Sequence, residues 1–95
     1  MIFVKHRLNT INKLKKLNKS YGAEIDLRAS GKKIILEHES FKKGTDFKKW
    51  LNHYDHSFLI ANIKEEGIEK NVIKSLKEKG INDYFLLDVT VPMLI

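Results

Sequence analysis

Short apolar strands that alternate with amphipathic helices constrain this chain more than any other feature. Ile2-Phe-Val4 is a β-branched and aromatic run with the character of a buried strand. Asn9-Thr10 is suited to cap a helix whose apolar positions, Ile11, Leu14, Leu17 and Tyr21, recur at helical spacing, and Gly22 stands where a glycine cap would end it. Ala23 to Leu27 reads as a strand, Ser30-Gly31 as a turn and Lys33 to His38 as the returning arm of a hairpin. After a loop at Phe41 to Gly44, Thr45 or Asp46 can cap a helix carrying Phe47, Trp50, Leu51 and Tyr54. Ser57 to Ile63 is the most apolar strand. Ile68, Val72, Ile73 and Leu76 then mark an amphipathic helix stopped by Gly80, and Tyr84 to Asp88 forms a last strand, beyond which Pro92 bars continuation. The alternation predicts βαβ units, a parallel sheet and one α/β domain over 1–95.

Composition narrows the function classes. The longest uncharged apolar run, Phe58 to Ala61, is far below the roughly 20 residues of a membrane span, and the first residues lack the basic leader and apolar stretch of a signal peptide. A soluble, cytoplasmic protein is expected. Without cysteine there is no disulfide framework, zinc-thiolate site or cysteine nucleophile. The net charge is +6, but 16 of the 18 cations are lysine, a solvated point charge; only Arg7 and Arg28 carry the planar fork that grips phosphate. Lys13, Lys15, Lys16 and Lys19 make a basic stripe on the first helix. No aromatic residues interleave them, so specific nucleic-acid binding is not expected.

In parallel α/β sheets, sites gather at the carboxyl ends of strands. His6-Arg7 follows the first strand, Glu24-Ile-Asp26-Leu-Arg28 lies along the second, and His38-Glu39 ends the hairpin arm. Asn62-Ile-Lys64 ends the third long strand and Asp88 the fourth. Glu24 and Asp26, two apart, leave the same face of a strand, where such a pair repels unless a cation or proton sits between; oxygen ligands of this kind suit Mg²⁺ or Ca²⁺. His6 and His38 suit a general base and a general acid. Alternatively, each histidine makes only structural hydrogen bonds, and one carboxylate simply caps a helix or pairs with Arg28. His53 and His56 read as a solvated loop.

The order His6-Arg7, Glu24-Ile-Asp26 and His38-Glu39, with Asn9-Thr10 at the first helix start, resembles the amino-terminal part of the glycerophosphodiester phosphodiesterase family. That family belongs to the phosphatidylinositol-specific phospholipase C-like phosphodiesterases, which are TIM barrels. The segment from His6 to Arg28 is most similar to a bacterial subgroup associated with surface-polysaccharide gene clusters. The resemblance implies metal-dependent cleavage of a glycerophosphodiester-like small molecule. Glu24, Asp26 and Asn62 would hold the divalent metal, His6 and His38 would be catalytic, and Arg7, Arg28 and Lys64 would bind the phosphate. Leu8 replaces the family's glycine after His-Arg, Glu39 replaces an aspartate, and Asn62 replaces a glutamate that would bring charge to the metal.

A full barrel of this type takes about 250 residues and eight strands, and these 95 residues supply four strands and roughly three helices. The expected fold is therefore a half TIM barrel of about four parallel strands with alternating helices and a small hairpin arm after the second. Its exposed edges and open inner face, with the apolar tail Val89 to Ile95, predict self-association, a homodimer first. The alternative to an enzyme is an inactive binding or assembly module that keeps a phosphate-binding mouth.

Overall fold

Strand β2 (Gly22–Ser30) organises the molecule, because its alternation separates two environments. A computed structural model of the protein describes residues 3–38 and 43–88. On one face of β2, Ala23, Ile25 and Leu27 are fully buried; from the other project Glu24, Asp26 and Arg28. Strand β5 (Phe58–Ile63) pairs with β2 in parallel, aligning Glu24 with Ile60 and Asp26 with Asn62, so Leu59, Ala61 and Ile63 continue the buried face. Strand β6 (Tyr84–Asp88) adds in parallel on the far side of β5.

The other edge of β2 is shared by two strands. Strand β1 (Val4–Lys5) pairs in parallel with Gly22 and Ala23 only. Further along, β3 (Lys33–Leu36) turns back through Gly31, at φ +60°, and pairs antiparallel with Leu27 to Ser30; the two-residue β4 (Thr45–Asp46) pairs antiparallel with β3. Among the described residues the result is a six-stranded mixed sheet, ordered β4-β3-β2-β5-β6, with β1 beside β2. This corrects the expectation of a half TIM barrel of parallel strands. A barrel needs an unbroken parallel neighbour on each strand. Here β1 is too short to occupy the edge of β2, and the hairpin takes the remaining hydrogen-bonding groups antiparallel. The hairpin arm is a structural part of the sheet, not an appendage.

Three helices among the described residues cover the buried face. Helix α1 (Ile11–Lys16) is capped by Thr10, whose side-chain oxygen accepts the Lys13 N–H at 3.2 Å. It is shorter than the spacing of Leu17 and Tyr21 predicts. The Asn18 side chain takes both the backbone N–H and the hydroxyl of Ser20, an alternative to helical bonding that ends the helix. Gly22 is accordingly a strand residue rather than a helix cap, and Tyr21 lies against the ring of Phe3. Helix α2 (Phe47–Leu51) is capped by the Asp46 carboxylate, which accepts the Lys49 N–H at 3.1 Å. Helix α3 (Glu69–Glu78) ends as its glycine predicts: Gly80 adopts φ +71°, its N–H reaches Lys77 and that of Ile81 reaches Leu76.

Leu14, Phe47, Trp50, Leu51, Val72 and Leu76 close over the strands as one apolar core. No helix among the described residues is long and apolar enough to cross a membrane. Ile2, Glu39, Phe41 and the segment 89–95 with Pro92 lie outside the described residues, as does the side chain of Asp88.

Candidate phosphate-binding site

The β1–α1 loop is held over the end of β2 by its own backbone. Leu8 donates its N–H to the Glu24 carbonyl at 2.7 Å and its carbonyl accepts the Trp50 indole N–H at 3.0 Å. Leu8 is itself a core residue, which accounts for an apolar side chain directly after His6-Arg7. The sharp turn falls one residue earlier. Arg7, at φ +50°, is the one non-glycine residue in left-handed backbone among those described, at a cost of about 1–2 kcal/mol.

That loop delivers Asn9 into a gap in the sheet. Between the end of β1 pairing at Ala23 and the start of β3 pairing at Leu27, the Asp26 N–H has no strand partner on this edge. The Asn9 side chain fills the place: its carbonyl oxygen accepts the Asp26 N–H at 3.0 Å and its amide nitrogen donates to Asp26 Oδ2 at 3.0 Å. The sequence pattern predicts Asn9 only as a helix cap. With Thr10 capping α1, a second polar side chain was the one available signal of another duty.

Around Asp26, whose exposure is 2 %, the other expected residues gather. Lys64 Nζ lies 3.6 Å from Asp26 Oδ1. The His38 ring stands on the other side, with Nδ1 3.6 Å from Asp26 Oδ2 and Nε2 3.1 Å from an Arg7 guanidinium nitrogen. Because a guanidinium only donates, Nε2 is the acceptor, so a neutral His38 carries its hydrogen on Nδ1, buried and facing Asp26 without a hydrogen bond. Asn62, buried and in register with Asp26, completes the inner wall. Nearer the solvent, His6 Nδ1 pairs with Glu24 Oε1 at 3.0 Å, the imidazole being largely exposed.

Arg28 is engaged with the backbone. Its Nε donates to the Glu37 carbonyl at 3.2 Å and a terminal nitrogen to the His38 carbonyl at 2.7 Å, fastening the segment that presents His38. The mouth thus combines two carboxylates with three permanent cations, Arg7, Arg28 and Lys64, an excess suited to an anion.

The side chains as arranged do not form a metal centre. One Asp26 oxygen accepts Asn9 and the other faces Lys64, Glu24 is paired to His6, and the remaining position is an uncharged asparagine. Among the described residues no group of three or more His, Asp or Glu side chains could hold an ion.

The 52–56 loop is apart from this cluster and more ordered in its bonding than a solvated loop. His56 Nε2 donates to the Leu17 carbonyl at 3.0 Å, and Tyr54 stacks on Trp50 at 5.5 Å between ring centroids. The Tyr54 hydroxyl is buried without a hydrogen bond. Burial first, then the nearby Asp83 and Asp55 carboxylates, push its pKa well above the ordinary tyrosine range. His53 is exposed. Comparison of the chain with protein-family models, with curated proteins and with solved structures returns no match.

Proposed function

We propose that the chain binds a phosphodiester at the cluster around Asp26 and cleaves it, as the resemblance to glycerophosphodiester phosphodiesterases implies. The observation that supports this reading is convergence. From points spread along 59 residues of sequence, Arg7, His38, Asp26 and Lys64 join in a run of contacts of 3.1–3.6 Å, and His6 pairs with Glu24, on the same face of β2 as Asp26, at 3.0 Å. Arg7 and Lys64 supply positive charge for a phosphate oxygen. With Nδ1–H directed at Glu24, His6 leaves Nε2 free to take a proton from an attacking hydroxyl as its oxygen bonds to phosphorus, the carboxylate orienting the ring and balancing the charge it gains. His38 can return a proton to the alkoxide that leaves as the phosphorus–oxygen bond breaks only once Arg7 has released Nε2, the outward nitrogen that would carry it. A divalent cation, Mg²⁺ or Ca²⁺, would have to displace Lys64 from Asp26 and His6 from Glu24 to reach the carboxylates, so no step is assigned to one.

Two observations favour a second reading, a phosphate-binding module without turnover. The place of a third carboxylate is held by Asn62, and the outward nitrogen of His38 is already engaged by Arg7. Hydrolysis of glycerophosphocholine, with and without EDTA, separates the two. The enzyme reading expects turnover that falls at least about 100-fold in His6→Ala. Phosphate binding without turnover supports the module, and the absence of both rejects the site.

Self-association and a cytoplasmic location belong to the same proposal. Ile60 and Phe85 are in register on the sheet face that no helix among the described residues covers, Phe85 is 51 % exposed, and β6 is an edge strand of the described sheet. A second copy of the chain would cover this apolar stripe. Light scattering at micromolar concentration should give twice the 11.1 kDa chain mass, and a monodisperse monomer would reject the dimer.

A further inference from the structure

On the helix side of the sheet, away from Asp26, the β2–β3 turn, the start of α2 and one face of α3 enclose a second concavity of about 420 Å³. Five lysines line it: Lys32 and Lys33 from the turn and β3, Lys48 and Lys49 from α2, and Lys74 from α3. All five are exposed, and among the described residues none is in an ion pair. Two carboxylates share the wall, and one of them, Asp46, is committed to capping α2. Ammonium groups brought together from three elements repel one another, and two carboxylates against five lysines leave the wall with an excess of three positive charges.

We propose that this cleft binds a compact small-molecule anion carrying two or more phosphate groups, at a site separate from the phosphodiester cluster. Its volume lies in the range of small-ligand pockets. Its cations are all lysine, which binds phosphate as a point charge, and their origin on three elements suits a ligand whose charges are spread over several groups rather than one. Phe47, the one aromatic side chain among the lining residues, is buried and offers no platform for stacking a nucleobase, which favours a small anion over a nucleic-acid strand.

Calorimetric titration with tripolyphosphate at about 100 mM salt tests the assignment. Saturable binding with one ligand per chain is expected, weakened at least about tenfold in the double variant Lys49→Gln and Lys74→Gln. The double variant Lys13→Gln and Lys16→Gln removes the same charge from α1 and should bind as the wild type does. Circular dichroism verifies that both variants are folded. The proposal fails if no saturable binding occurs, if the α1 variant weakens as much as the cleft variant, or if orthophosphate binds as tightly as tripolyphosphate. Tighter binding of a dT10 oligonucleotide than of tripolyphosphate would also overturn it, assigning the cleft to a nucleic-acid backbone.

Discussion

Removing the Asn9 side chain should destabilise the protein out of proportion to its size. Asn9→Ala deletes two hydrogen bonds at once. One is a neutral bond from the Asp26 N–H, worth about 1 kcal/mol, and the other a charge-assisted bond to the Asp26 carboxylate, worth about 2 kcal/mol. Water cannot readily replace either, because Asp26 is 2 % exposed and its N–H lies in the gap between β1 and β3. The expected loss is about 3 kcal/mol, a large part of the roughly 5–14 kcal/mol available to a domain of this length. Urea unfolding followed by the fluorescence of Trp50, the single tryptophan and fully buried, measures it directly. With a slope of about 1.2 kcal/mol per molar urea, the midpoint should fall by about 2.5 M. Asn9→Asp should be worse at neutral pH, since it faces a second carboxylate to the first. Combining it with Asp26→Asn restores a donor opposite an acceptor and should recover stability. A loss below about 1 kcal/mol for Asn9→Ala, or no recovery in the combined variant, would refute the role assigned to this pair.

Three further outcomes follow from particular contacts. Gly44→Ala should cost about 1–3 kcal/mol in the same urea assay, because its Cβ would collide with the Leu36 carbonyl; a neutral result would show that the backbone yields there. Tyr54→Phe should be neutral or stabilising at pH 7, as the buried hydroxyl has no partner. The folded protein holds the Tyr54 phenol neutral beyond the pH at which the unfolded chain ionises, so its contribution is complete below about pH 10 and lost as pH rises through the folded value. Tyr54→Phe should therefore lose less stability than wild type above pH 10, and parallel curves would contradict this. Long-range proton–nitrogen NMR should find neutral His38 with its hydrogen on Nδ1, and Arg7→Met should produce a mixture of tautomers. A wild-type ring protonated on Nε2 would refute the Arg7 contact.

The sequence carried the element order well, and it failed where two short-range rules competed. Apolar alternation in Ala23 to Leu27 and Leu59 to Ile63 marked the central strands, and Ile68, Val72 and Leu76 marked α3 with its glycine stop. The same spacing logic overran α1, because Leu17 and Tyr21 continue the apolar period while Asn18 ends the helix by its own side chain. In the site, Arg7, His38, Asp26 and Lys64 meet and His6 pairs with Glu24, since strand ends are where a parallel sheet collects side chains. The position of Arg28 along β2 is visible in sequence, and the Glu37 and His38 carbonyls it binds are not.

What the sequence alone determined are the properties that depend on neighbours a few residues away: which face of β2 is apolar, that Glu24 and Asp26 share the other, that helices follow Asn9-Thr10 and Thr45-Asp46, and where Gly80 ends one. Tertiary structure decided how the strands are paired and what each polar group touches. The edge of β2 accepts either a parallel or an antiparallel partner, and local pattern does not distinguish them. The choice rests on the shortness of β1 and the reach of the hairpin. That choice leaves the gap into which Asn9 fits, and through Asn9 it sets the surroundings of Asp26. Hydrogen bonds across 17 residues of sequence follow from geometry that exists only once the sheet is assembled.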